Sequence, residues 1–154
     1  MMLRLALHTH LVLLLAVVCP PISATASTFR VTTTTDSHDV IPGDSVCDDG
    51  TGACSLRAAL DESNALDGAD TILLSDAAVY RLELGALALL DNGTVLRADS
   101  GMAIIDAATN PPYGPAIIIS SDSNTVQRVI IQHSFGDGIR IEGSANLIGG
   151  DEPT

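Results

Sequence analysis

Asp36, Asp39, Asp44, Cys47, Asp48, Asp49 and Cys54 fall in one short stretch, and their types and spacing could do chemistry. Carboxylate oxygens in number suit Ca²⁺. Their spacing does not match an EF-hand loop, however, and no Glu closes the set. Asp and Gly are also the residues that tight turns use. Turn chemistry is therefore the first reading and Ca²⁺ the subordinate one; the metal ligand set stays unknown, and no other cofactor is expected. Of the three cysteines, Cys19 lies in an apolar leader, which leaves Cys47 and Cys54. An even pair in an oxidising compartment reads as a disulfide. Closing so small a loop contributes about 2.5 kcal/mol by chain-entropy arithmetic. The rival, half a metal site, needs two more ligands, and His38 and His133 are far apart in sequence.

Further charged residues invite a catalytic reading: Arg97, Asp99, Asp106, Asp122, Arg140 and Glu142. A polysaccharide lyase built on stacked coils needs a column of acidic calcium ligands plus an Arg or Lys base. At a 22-residue step, Asp99 falls over Ser121 and Gly143, so no acidic column forms. A hydrolase needs two carboxylates about 5–9.5 Å apart. Asp122 and Glu142 could be neighbours on adjacent coils, but a solvated turn explains them equally well. There is no Gly-x-Ser-x-Gly elbow and no plausible Ser–His–Asp set. His133-Ser134 reads as a turn, and so does the formal sequon Asn92-Gly93-Thr94. No catalytic residue is assigned, and the balance leans against an enzyme.

The cysteine loop feeds a short helix. Ser55 is a good N-cap, its hydroxyl accepting a backbone N–H of the first turn. Leu56, Ala59 and Leu60 share one face, with Leu66 near the same line. Arg57 and Asp61 are four apart and are expected to pair on a wet face, with Glu62 exposed beside them. Asp67-Gly68 supplies a stop, Gly68 taking the left-handed position after the cap. A helix of about three turns with so narrow a stripe is marginal alone. Leu56 and Leu60 are therefore expected to sit on an apolar layer and close its end.

The chain from Asp70 on supplies that layer, with apolar runs alternating with Gly, Asp, Asn and Ser turns. The expected strands are Thr71–Leu74, Val79–Leu84, Thr94–Arg97, Ala103–Ile105, Ala116–Ser120, Val126–Gln132 and Gly138–Glu142. Ile117 and Ile139 are 22 apart, as are Ile119 and Ile141, Asn124 and Asn146, and Val126 and Ile148. Stepping back 22 gives Val95, Met102 and Ile104. A period of about 20–24 residues suits one coil of a parallel β-helix. Strict register would bury Arg97, so the first coil shifts by one and puts Leu96 inward. Asn124 and Asn146 are either a stacked Asn ladder, satisfying backbone groups inside the turns, or ordinary turn residues. The stretch from Asn110 to Pro115 carries three prolines and reads as a loop bulging from one corner.

Phe29-Arg-Val-Thr-Thr-Thr-Thr-Asp-Ser, Pro42-Gly43-Asp44, Cys47, Cys54-Ser-Leu-Arg-Ala-Ala, Asn64-Ala65 and Gly68-Ala-Asp-Thr-Ile72 together resemble the CSLREA-type N-terminal domain of exported bacterial proteins. In that family a right-handed parallel β-helix usually comes next. The family's Glu would fall at Ala58, so the reciprocal half of a capping box is missing here. The family has no activity to carry over.

Residues 1–26 read as a signal peptide, with Arg4, the apolar run Leu11–Cys19 and the small-x-small site Ala24-Thr25-Ala26. The run is too short for a membrane span. Val18 before Cys19 argues against a lipoprotein. Beyond residue 26, six Arg face nineteen Asp plus Glu with no Lys. That balance argues against nucleic acid or an anionic membrane as partner. With two Tyr, two Phe and no Trp, ring-stacking sugar clefts are disfavoured.

The expected fold is thus all-β: a right-handed parallel β-helix of about three coils, incomplete, with a short N-terminal capping helix. Residues 27–68 form the cap and 69–154 the coils. The functional expectation is a secreted or cell-surface, adhesion-type module without enzymatic activity. The alternative is the N-terminal part of a carbohydrate-active β-helix enzyme, a polysaccharide lyase or hydrolase. The partner is unknown; self-association through an open C-terminal end of the coils is the expectation the pattern supports.

Overall fold

The computed structural model describes residues 25–110 and 114–150. The apolar run of the leader, Cys19, the middle of the proline loop and the last four residues lie outside the described residues. In chain order the elements are β1 (Thr28–Arg30), α1 (Leu56–Ala65), β2 (Thr71–Leu74), β3 (Val79–Arg81), β4 (Leu87–Leu89), β5 (Val95–Ala98), β6 (Ala103–Asp106), β7 (Ile117–Ile119), β8 (Thr125–Gln127), β9 (Val129–Gln132), β10 (Ile139–Ile141) and β11 (Leu147–Ile148).

These strands form three all-parallel sheets, ordered β1-β2-β5-β8-β11, β3-β6-β9 and β4-β7-β10. From β2 onward the chain visits the three sheets in fixed rotation, so each strand pairs with the one three elements later. A parallel neighbour requires a long crossover, and here the crossover is a visit to the other two sheets. Among the described residues the fold is all-β and parallel, with one helix.

Inward side chains from all three sheets make one core. Ile72, Leu74, Leu96 and Ala98 meet Ile105, Leu87, Leu89, Ile117 and Ile119, all at most 1 % exposed. Phe29 and Val31 join from β1 and its end, and Leu56, Ala59 and Leu60 from α1. The helix packs on β2 and β4, where Leu56 and Leu60 close the end of the core.

The repeat holds in its last turn and drifts earlier. Ile139 pairs with Ile117, Ile141 with Ile119 and Ile148 with Val126, each 22 residues on. Leu96 lies inward between Ile72 and Val126. Val95, however, pairs with Thr71 and Thr125, not with Ile117, whose partner one rung earlier is Leu87. The step from Leu87 to Ile117 is 30 residues, because the stretch between β6 and β7 carries the proline loop.

Two corners hid in the sequence. The run expected as one strand from Val126 to Gln132 is β8 and β9, broken at Arg128, whose φ of +53° turns the chain from one sheet to the next. One residue in the left-handed region suffices for that corner, and only a glycine would have announced it. The strand expected through Leu84 stops at Arg81, because the amides of Glu83 and Leu84 turn away to another partner. Neither β4 nor β11 matches an expected strand: their three and two residues are too short to show a period.

Candidate functional site

The first rung of strands would leave the outer edge of β4 unpaired. Three side chains cover it and its approach. Asp36 accepts the amides of Glu83 and Leu84 at 2.6 and 2.8 Å through Oδ2. Arg57 donates to the carbonyls of Gly85 and Ala86 at 2.7 and 3.2 Å. Asn64 donates to the Ala88 carbonyl at 2.9 Å and accepts the Leu90 amide at 2.8 Å. Arg57 and Asn64 are seven apart on α1, hence on one helix face. The helix thus supplies donors and acceptors as a missing strand would, and blunts the edge. β1 covers β2 in the same layer by parallel pairing.

This arrangement overturns the expected pairing of Arg57 with Asp61. Arg57 is 6 % exposed, not on a wet face, and its Nε and Nη2 grip Asp36 at 2.7 and 3.0 Å. Burial alone would push the Asp36 carboxyl up, but Arg57 and the two amides outweigh it and hold it below the usual carboxylate range. Asp61 instead meets His38 Nδ1 at 2.7 Å and the Asp39 amide at 3.1 Å. Glu62 is also buried, not exposed, with its carboxylate accepting the amides of Gly43 and Ser45. Local helical pattern could not show this, since the loop that wraps the helix arrives from twenty residues upstream.

Ser55 is the N-cap, its Oγ accepting the Ala58 amide at 3.0 Å. The same hydroxyl donates to the Ser37 carbonyl at 2.6 Å, which ties the helix start to the loop without the missing Glu. The stop differs from expectation. Leu66 is the C-cap, in extended conformation with its amide on the Glu62 carbonyl, and Gly68 lies two residues beyond.

Cys47 and Cys54 are bonded, their Cα atoms 5.1 Å apart. The aspartates around them are occupied by turns. Asp39 accepts the amides of Ile41 and Asp48, Asp44 that of Val46, Asp48 those of Gly50 and Gly52, and Asp49 that of Thr51. Thr51, by hydroxyl and amide, and then the Ser37 hydroxyl hold the Asp49 carboxyl below its ordinary value. Among the described residues no three His, Cys, Asp or Glu side chains are arranged to hold a metal ion.

The charged residues expected to face outward do not converge either, and one of them, Asp106, is buried. Arg30 meets Asp99 at 2.9 Å and Arg140 meets Asp137 at 3.2 Å. Arg97 donates to the Asp99 carbonyl at 3.0 Å. Asp122 accepts the Ser144 amide and Glu142 the Ser120 hydroxyl, so the two carboxylates are held in separate contacts. Asp106 accepts from Gln132 and meets His133 Nδ1 at 3.0 Å, a pairing across neighbouring strands that sequence reasoning missed. Its carboxyl is raised by burial and lowered more by the Ala108 amide, His133 and Gln132.

Asn124 and Asn146 form the ladder. Asn124 Oδ1 accepts the Thr94 amide at 2.9 Å, and Asn146 Oδ1 accepts both the Asn124 amide and Nδ2, at 2.8 and 3.1 Å. One turn of chain is thereby strung to the next. Beside it Gly143 comes so close to the Ser121 carbonyl that any Cβ there would collide with it.

At the other end, Ile141, Leu147 and Ile148 are 46, 50 and 42 % exposed on β10 and β11. Among the described residues no helix is long and apolar enough to cross a membrane. No family model, curated protein or solved structure matches this chain.

Proposed function

We propose that this chain is an exported right-handed parallel β-helix module of the CSLREA type, capped at the β1 and α1 end and serving as a non-enzymatic surface or adhesion scaffold. The observation that carries the reading is the covering of the first rung's edge by Asp36, Arg57 and Asn64. A solenoid needs such a cap at its ends. The fixed rotation through three parallel sheets supports the coil reading, and the stacking of Asn124 on Asn146 agrees with it. The disulfide supports an oxidising destination. The aspartates engaged in turns and the separated carboxylates Asp122 and Glu142 support scaffold over catalyst.

The test is to express the whole chain, leader included, in a bacterial host that secretes. The protein is expected outside the cell with Ser27 at its N-terminus, and inert towards a panel of acidic and neutral polysaccharides. Retention with Met1 intact would refute export. Release of unsaturated or reducing sugar ends would refute the scaffold reading.

A further inference from the structure

Asp70 is fully buried between the cap and the first rung. Its Oδ1 accepts the Ser27 amide at 2.7 Å, and its Oδ2 has no hydrogen-bond partner. Asp91 places a second buried carboxylate oxygen, also without a hydrogen-bond partner, close enough that its charge acts on Asp70. Burial first, and then Asp91, raise the Asp70 carboxyl; the Ser27 amide and the Ser63 hydroxyl pull the other way without prevailing. A buried carboxylate with one oxygen unpartnered and a like-charged neighbour is an acceptor short of a cation.

Ser27 is held in place by backbone. Its carbonyl accepts the Thr71 amide at 2.8 Å, and β1 begins at the next residue, paired to β2. Thr25 and Ala26 are exposed, and Ser27 is half-buried. Thr25 passes Gly68 so closely that a Cβ there would sit 2.9 Å from the Thr25 carbonyl oxygen, which together with a φ of +145° accounts for glycine at 68. The Ala26–Ser27 bond is therefore at the boundary between exposed chain and fixed structure.

We infer that Asp70 is the receptor for a new α-ammonium: cleavage after Ala26 converts the Ser27 amide into a cation that pairs with Asp70 inside the cap. The inference rests on the export reading of residues 1–26. Hydrolysis by a leader protease consumes one water. Its hydroxyl goes to the Ala26 carbonyl and its hydrogen to the Ser27 nitrogen, which takes one further proton from solvent. An α-amino group titrates at about 7.7–8.0, so it is charged at neutral pH. The neutral amide donor becomes a cation with three N–H groups, beside the buried Asp70 carboxylate that lacks one. Removal of the leader then strengthens the folded cap, and the uncut precursor goes without that contact.

The experiment compares chains that start at Ser27 with a free amine, at Ser27 with an acetylated amine, and at Ala26, each with and without Asp70→Asn. At pH 6 the free Ser27 chain is expected to melt about 5 °C or more above the other two. Asp70→Asn should remove the difference. Equal melting of the three with Asp70 present overturns the inference, as does a difference that survives Asp70→Asn. Should Asp70→Asn fail to fold, the reaction of the α-amine with an acylating reagent decides. It should be at least about tenfold slower in the folded Ser27 chain than in the denatured one, and an equal rate overturns the pairing. N-terminal sequencing of the exported protein separates the two failures. A cut elsewhere defeats the export-site reading itself, whereas a cut at Ser27 with no coupling defeats only the ion pair.

Discussion

Asp36 and Arg57, 21 residues apart, meet in a two-pronged ion pair with side chains only 3 and 7 % exposed, and each also binds the backbone of the first rung. Breaking a buried pair from one side leaves a charge without a partner, which costs about 3–5 kcal/mol. Arg57→Ala should therefore lower stability by about that amount, and Arg57→Lys should recover little, because an ammonium cannot span two carboxylate oxygens and two carbonyls at once. Urea unfolding followed by circular dichroism would measure both; a loss under about 1 kcal/mol for Arg57→Ala, the size of an exposed pair, would refute the clasp.

The same pair sets an acid limit. The folded Asp36 carboxyl is held below its unfolded value, so its contribution is complete above about pH 4 and is lost as pH falls through the folded value. Melting temperatures between about pH 5 and pH 2 should fall more steeply for the wild type than for Asp36→Asn, with the two curves converging in acid.

Glu62 is buried and accepts two loop amides, so Glu62→Ala orphans both. At about 1–3 kcal/mol per orphaned buried group, it should be clearly destabilising, while Asp67→Ala at an exposed site beside it should change little. Equal thermal shifts for the two would show that the loop does not depend on Glu62.

Asn124 is fully buried and supports the rungs on both sides. Asn124→Ala should cost about 1–3 kcal/mol, because it orphans the buried Thr94 amide, against under about 1 kcal/mol for Asn92→Ala at the exposed turn below. Denaturant titration of the pair of variants distinguishes ladder from turn.

What was legible in the sequence was what repeats locally. Ile117, Ile139 and their neighbours announce a rung because side-chain period and rung length both persist there. Ser55 announces the helix start, and Cys47 and Cys54 the bond, because each needs only nearby chain. The clasp was illegible for the opposite reason. Arg57 and Asp61 look like a surface pair on a helical wheel, and only the path of residues 36–50 shows that the face is covered. Arg128 was illegible because a non-glycine in the left-handed region carries no sign of it.

The pairing pattern also bears on how the chain assembles. Between successive strands of the long sheet the separations are 24, 30 and 22 residues, whereas β1 must wait 43 residues for β2. Loop closure costs grow only slowly with length, but no later rung has an edge to pair with until β2 and the helix are in place. The pairing order thus runs outward from β2, each later strand pairing with the strand one rung before it. Each rung takes its parallel edge from the one before it, and the Arg30–Asp99 pair reaches one layer further, tying β1 across β2 to the end of β5.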